Sequence, residues 1–275
     1  YYDSEPYMVP DNVAMLFFNR KRKGLDDADF RRALAFAVNP QVIADRVYDN
    51  QVKAADATGL TLNKAWKKQR SEEVAEGYGF SYNPAKAKQM LAEAGYKDTD
   101  NDGWREHPDG SDLEYTIIVP GGWTDWMSSI DIISKQLKEV GINANTQYPD
   151  YTVYENKMHN ANFDMLINNF NSNQSPTPYT YWEWVVSDQI NGEVAQNGNF
   201  GRYKNQKLFD LVDKFSYLKA DEPEAKEVAA DIQEIMLKDM PSVPLWYNGM
   251  WSLCNTQRWT NWPTEDNNAG LAVTW

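Results

Sequence analysis

The chain has 275 residues, with 40 acidic side chains against 27 basic ones, a formal charge of −13 and an isoelectric point near 4.6. That balance argues against a nucleic-acid binder, which needs basic surface to neutralise phosphates, and against an anionic membrane surface as partner. No run approaches the roughly 18 apolar residues of a spanning helix, and the length suits one large domain or two small ones.

The polar and aromatic start, Tyr1 to Pro6, shows no signal peptide pattern. Val13-Ala14-Met15-Leu16-Phe17-Phe18 is a continuous apolar run that predicts a buried strand. Residues 29–38 have helical spacing, with Phe30, Ala33, Leu34 and Ala37 on one face. Asn39-Pro40 breaks that helix and starts another through Val42, Ile43 and Val47. Residues 50–80 are weakly periodic and are expected to form surface loop. Asn83-Pro84 opens a third helix that Gly95 ends. Strands at Leu113–Val119, Ile142–Tyr148 and Phe163–Ile167 then alternate with helices at Trp126–Val140 and Tyr151–His159. This alternation predicts an α/β sheet with crossover helices. Residues 168–202 read as a long irregular segment with a short helix near Trp182. Helices at Lys207–Leu218 and Pro223–Lys238, a strand at Val243–Tyr247 and a polar, aromatic tail complete the chain.

Cys254 is the single cysteine, so neither an internal disulfide nor a thiolate zinc cluster is available, and it reads as a small apolar residue. His107 and His159 lie in unrelated contexts, which argues against histidine catalysis. The sharpest local motif runs from Asp98 to Asp109. Asp98, Asp100 and Asp102 stand at positions 1, 3 and 5, Gly103 at 6, Trp104 with its carbonyl at 7, Glu106 at 9 and Asp109 at 12. Those are the oxygen positions of an EF-hand-type calcium loop, and a hard cation taking six to eight oxygens would be nearly satisfied by them. Asp109 has a shorter reach than the usual Glu. The expected cofactor is a structural Ca2+; the alternative is a solvated acidic turn.

The second constellation is aromatic and amide-rich. The chain holds 11 Trp, more than a core of this size needs, and 25 Asn. Gly121-Gly122-Trp123-Thr124-Asp125-Trp126 lies between a strand and a helix, where ligands collect in open α/β sheets. Asn168 to Gln174 also follows a strand, with Tyr179, Tyr181, Trp182 and Trp184 close behind and Trp246, Tyr247, Asn248 and Trp251 near the end. Flat aromatic faces beside neutral amides suit a sugar, whose C–H faces stack while its hydroxyls need donors and acceptors. Trp123, Trp126, Trp182 and Trp184 are the stacking candidates; Trp251 joins them, with Asn171, Asn173 and Asn248 as hydroxyl partners. Asp125, Asp164 and Glu183 are the carboxylates near these loops, but no spacing pairs them for glycoside hydrolysis. No nucleophile elbow, phosphate loop or dinucleotide fingerprint is present. An enzyme is not expected.

In their order these pieces resemble the family 5 extracellular solute-binding proteins of ABC importers, which take peptides, nickel or oligosaccharides. The stretches that carry the resemblance are Met15–Asn19, residues 29–39, residues 82–96, the acidic loop to Gly110, residues 136–142, Phe163–Met165, residues 201–205 and residues 241–245. The resemblance covers roughly residues 8–255, with 256–275 a tail returning toward another lobe. It implies an α/β lobe of the type II periplasmic-binding-protein kind, a mixed sheet flanked by helices. Family members are about twice as long, so the chain is expected to be the single C-terminal lobe of a two-lobed protein, without the N-terminal lobe and its lipoprotein signal. It implies an extracytoplasmic location, permease subunits as partners and a monomer. Peptide-binding members place an Asp against the ligand's amino group, and Ile167 to Gln174 has no acidic residue. That departure favours a neutral ligand. Trp259 to Asp266 resembles the cello-oligosaccharide and β-glucoside branch, so the expected cargo is a β-linked oligosaccharide, with an oligopeptide as the alternative.

Overall fold

A computed structural model describes residues 9–62, 64–170, 175–187 and 194–250, together with 255, 257, 258 and 260. Strand β1 (Val9–Phe18) leads to helices α1 (Ala28–Ala37), α2 (Pro40–Val47), α3 (Lys64–Lys67), α4 (Glu72–Tyr78) and α5 (Pro84–Glu93). The alternating region is β2 (Glu114–Ile118), α6 (Thr124–Glu139), β3 (Asn143–Gln147), α7 (Tyr151–His159) and β4 (Met165–Asn169). Helices α8 (Tyr179–Val186), α9 (Gln206–Ser216) and α10 (Pro223–Asp239) precede β5 (Ser242–Met250). The α/β class and the mixed, helix-flanked sheet expected from the sequence are observed.

The five strands lie in the order β3-β2-β4-β1-β5. β2 pairs in parallel with β3 and β4, as crossover helices require. β1 closes the sheet by pairing antiparallel with β4 on one side and β5 on the other. Val13 to Phe18 are at most 1% exposed, which explains why this run is apolar throughout and not alternating. Helix starts follow local chemistry: Asp27, Asn39, Ser71, Asn83 and Asn205 each accept a backbone N–H of the first turn through the side chain.

The region 50–80 departs from expectation. Instead of surface loop it contains α3 and α4, and it buries Val52, Leu60, Trp66 and Val74. Trp66 stacks on Phe170 and Tyr181, and its indole N–H donates to the Ser175 carbonyl. Single large residues anchor this segment, so it has no periodicity to detect.

Arg31 sits on the buried face of α1 with no exposed surface. Its guanidinium donates to the carbonyls of Leu25, Asp239 and Met240. Arg32 donates to Leu237 and Tyr78. Together they satisfy the last carbonyls of α10, where the helix dipole also favours a cation. Burial lowers the Arg31 pKa to about 10, which leaves it charged at neutral pH. Replacing Arg31 with Met should therefore cost about 3 kcal/mol in urea unfolding, because buried carbonyls lose a charged donor. Lys21→Met, at an exposed position, should stay within about 0.5 kcal/mol.

Candidate functional site

The carboxyl ends of β2 and β3 each run into a short loop and then a helix. Gly121 donates its amide to the Pro149 carbonyl at 2.8 Å, which ties the two loops together. A Cβ on Gly121 would stand 3.0 Å from the Tyr148 carbonyl, and Gly122 has φ +90, so this close approach depends on the glycine pair. The loops then present Trp123, just before α6, and Tyr151, at the start of α7. Their rings stack with centroids 5.8 Å apart and an interplanar angle of 27°. Trp123 is 41% and Tyr151 49% exposed, so the pair forms an aromatic ledge open to solvent.

Beneath the ledge the aromatic contacts continue inward. Trp126 meets Trp123 edge-on at 4.9 Å and is itself buried, so it supports the ledge and does not face solvent. It meets Trp246 of β5 edge-on at 6.4 Å, and Trp246 packs at 5.3 Å against Tyr48. Tyr48 donates to Asp125 at 3.1 Å. Burial and the neighbouring Asp125 carboxylate raise the Tyr48 pKa far above the ordinary phenol value. Beside these rings the same end of the sheet carries amides: Asn12 lies opposite Asn248, and Asn169 opposite Ala14. Asn248 and Asn169 are half-buried.

The remaining candidates scatter. Trp182 is fully enclosed between α8 and α9, edge-on to Phe215 at 4.9 Å, and has no free face. Trp184 is half-buried, donates to the Asn169 carbonyl at 3.0 Å and packs edge-on against Phe200. Asn171, Asn173 and Trp251 lie outside the described residues, as does Cys254. Sequence reasoning missed Tyr151 and Asn12 as site residues. Tyr151 has a signal, since Pro149-Asp150-Tyr151 is the same strand-to-helix junction as the Trp123 loop; Asn12 has none. The three carboxylates hold separate partners: Asp125 with Tyr48, Glu183 with Tyr179 at 2.9 Å, and Asp164 with Arg22 at 2.5 Å and the Thr116 amide at 2.8 Å.

The acidic loop is a second feature, closed by the bridge between Lys97 and Glu106. Asp98, Asp100, Asp102 and Glu106 bring one carboxylate oxygen each within 4.8 Å of one another. Asp98 accepts the Gly103 amide, Asp100 the Asp102 amide and Asp102 the Trp104 amide. The Thr99 hydroxyl and amide hold the Glu106 carboxyl below the usual carboxylate range. Asp109 is not in this group. It pairs with Lys23 at 2.5 Å and turns back onto Ser111, so the twelfth position is taken out of the ring by a neighbouring cation.

The family model for bacterial extracellular solute-binding proteins, family 5 Middle, matches residues 4–193. A mannohexaose-bound periplasmic oligopeptide-binding protein of an ABC transporter from Thermotoga maritima is 42% identical, with a TM-score of 0.90 over 97% of this chain and 50% of that one. The oligopeptide-binding protein AppA of Bacillus subtilis, in complex with a nonapeptide, is 26% identical with a TM-score of 0.75, over 87% of this chain and 45% of that one. In sequence, AppA is 27% identical over 232 residues, 84% of this chain and 40% of its own length. The chain thus spans half or less of the length of these relatives.

The layering of the site gives a direct expectation. Trp123→Ala should cost only about 1 kcal/mol in urea unfolding, the value of a half-exposed ring's aromatic contacts. Trp246→Ala, at a fully buried position, should cost about 3–5 kcal/mol.

Proposed function

Because the chain belongs to the bacterial extracellular solute-binding proteins of family 5, we propose that it is a lobe of the substrate-binding component of an ABC importer and that it takes a neutral, β-linked oligosaccharide. The observation that carries this reading is the exposed Trp123–Tyr151 stack at the carboxyl ends of the parallel strands. A pyranose presents apolar C–H faces of ring size, and the amides of Asn248 and Asn169 offer both donors and acceptors for its hydroxyls. The mannohexaose held by the Thermotoga maritima relative supports a sugar ligand. The absence of an acidic residue from Ile167 to Gln174 agrees with an uncharged one. In this reading Trp123 stacks on the sugar, Trp126 backs it, and a second lobe covers the other face. The protein works outside the cytoplasm, as a monomer that passes its cargo to permease subunits, and catalyses no reaction.

The second reading is an oligopeptide ligand, favoured by the nonapeptide bound to AppA. Titration with cello-oligosaccharides, mannohexaose and a nonapeptide, followed by calorimetry and Trp fluorescence, separates the two. Binding of a sugar that weakens at least about fivefold in Trp123→Ala is expected, since a stacking contact contributes about 1 kcal/mol. Peptide binding with no response to any sugar would overturn the oligosaccharide reading.

The acidic loop is assigned a structural role in the same proposal. Asp98, Asp100, Asp102 and Glu106, with the Trp104 carbonyl, suit Ca2+ by oxygen chemistry and by the convergence of four carboxylates. Bound there, the ion would relieve repulsion among them and clamp the loop shut. Calcium at about 100 times its dissociation constant stabilises a folded state by about 2.7 kcal/mol. Addition of a chelator should therefore lower the melting temperature by several degrees, and Asp98→Ala with Asp102→Ala should abolish the response. Equal melts with and without chelator would leave the loop as an acidic turn.

A further inference from the structure

An open depression of about 570 Å3 lies beside the β5 edge of the sheet and shares no lining residue with the aromatic ledge. Residues 53–55 form its inner support: they pair along β5, with Ala55 donating to Leu245 and Tyr247 donating to Lys53. Asp56 and Ala57 then leave that edge to line the space. Phe36 of α1 and Phe80, which follows α4, meet edge-on at 6.2 Å and supply aromatic wall, with Ala55, Ala57 and Ala75 adding aliphatic surface.

The charges are arranged unusually for a chain of net −13. Asp56 is the one carboxylate lining the cavity, and Arg70 neutralises it at 3.0 Å while also pairing with Glu72. Lys86 lines the same space and holds its ammonium 4.3 Å from the centre of the Phe36 ring. Among the described residues it forms no ion pair. The Asn83 side-chain oxygen is already committed to the Lys86 amide, which leaves its NH2 group as a donor, and Ser81 adds a hydroxyl. The polar side of the cavity therefore offers an uncompensated cation and neutral donors, facing an apolar, aromatic side.

We propose that this cavity is a second ligand site, for a small organic monocarboxylate with an aromatic or aliphatic body. The carboxylate pairs with the Lys86 ammonium and accepts from Asn83, while the body lies against Phe80 and the neighbouring alanines. Charge-assisted hydrogen bonds outweigh neutral ones, so the site discriminates acids from their amides. A dicarboxylate is disfavoured, because its second charge meets Asp56 and finds Arg70 already paired.

The probe is 3-phenylpropionate, compared with the neutral 3-phenylpropionamide by titration calorimetry on the whole chain. The expected result is binding of the acid at least about tenfold tighter than the amide, about 1.4 kcal/mol. Lys86→Gln, a surface change that circular dichroism should show to be folded, should lose that tenfold preference. Phe80→Ala should weaken acid and amide alike, and Trp123→Ala should change neither. Absence of binding to about 10 mM, equal affinity for acid and amide, an unaltered preference in Lys86→Gln, or loss of binding in Trp123→Ala would each overturn the assignment. The result is independent of whether the ledge takes a sugar, because that site is read by oligosaccharide titration.

Discussion

Everything that positions the aromatic ledge is registered against β1. From Ala14 to Phe17 this strand is buried on both faces and hydrogen-bonded along both edges, to β4 and to β5. A slip of one residue would carry Asn12 and Asn248 out of register. The antiparallel pairing brings β5, from the far end of the chain, beside strands formed much earlier. Trp246 thereby reaches Trp126 and Tyr48, and the floor beneath Trp123 is assembled from three distant stretches of sequence.

A second constraint sets where β5 begins. α10 ends on Met240 in the left-handed region, φ +45, a conformation uncommon for a residue with a side chain. The buried Arg31 guanidinium holds the Asp239 and Met240 carbonyls at that turn. The chain reverses there and enters β5 two residues later. The same arginine also anchors Leu25, so the entry to α1 and the exit of α10 share one charged group.

The strands and most helices were legible because burial writes a period into the chain: apolar runs where both faces are covered, and spacing of three and four where one is. Residues 50–80 were not legible, since the anchoring Trp66 finds its partners, Phe170 and Tyr181, more than a hundred positions away. Trp182 shows the converse error. Its neighbourhood of aromatics looks like a binding surface in one dimension, whereas α9 supplies Phe215 to cover it. Asp109 fits a twelve-residue spacing but is drawn to Lys23, a residue no local motif includes. Arg31 reads as a polar position on an amphipathic helix, and only the end of α10 explains it. Trp123 was legible because a glycine pair between strand and helix is a geometric signature, and Tyr151 repeats that junction without the glycines.

The hydrogen bond from Gly121 to Pro149 has a thermodynamic consequence for the ledge. In the proposed reading a ligand arriving at the ledge does not have to gather the rings, because the two loops are already tied to each other. The entropy lost on association then falls mainly on the ligand and not on the protein wall. Discrimination among ligands is left to how well a face matches a fixed spacing, and differences between them should appear in residence time more than in rate of capture.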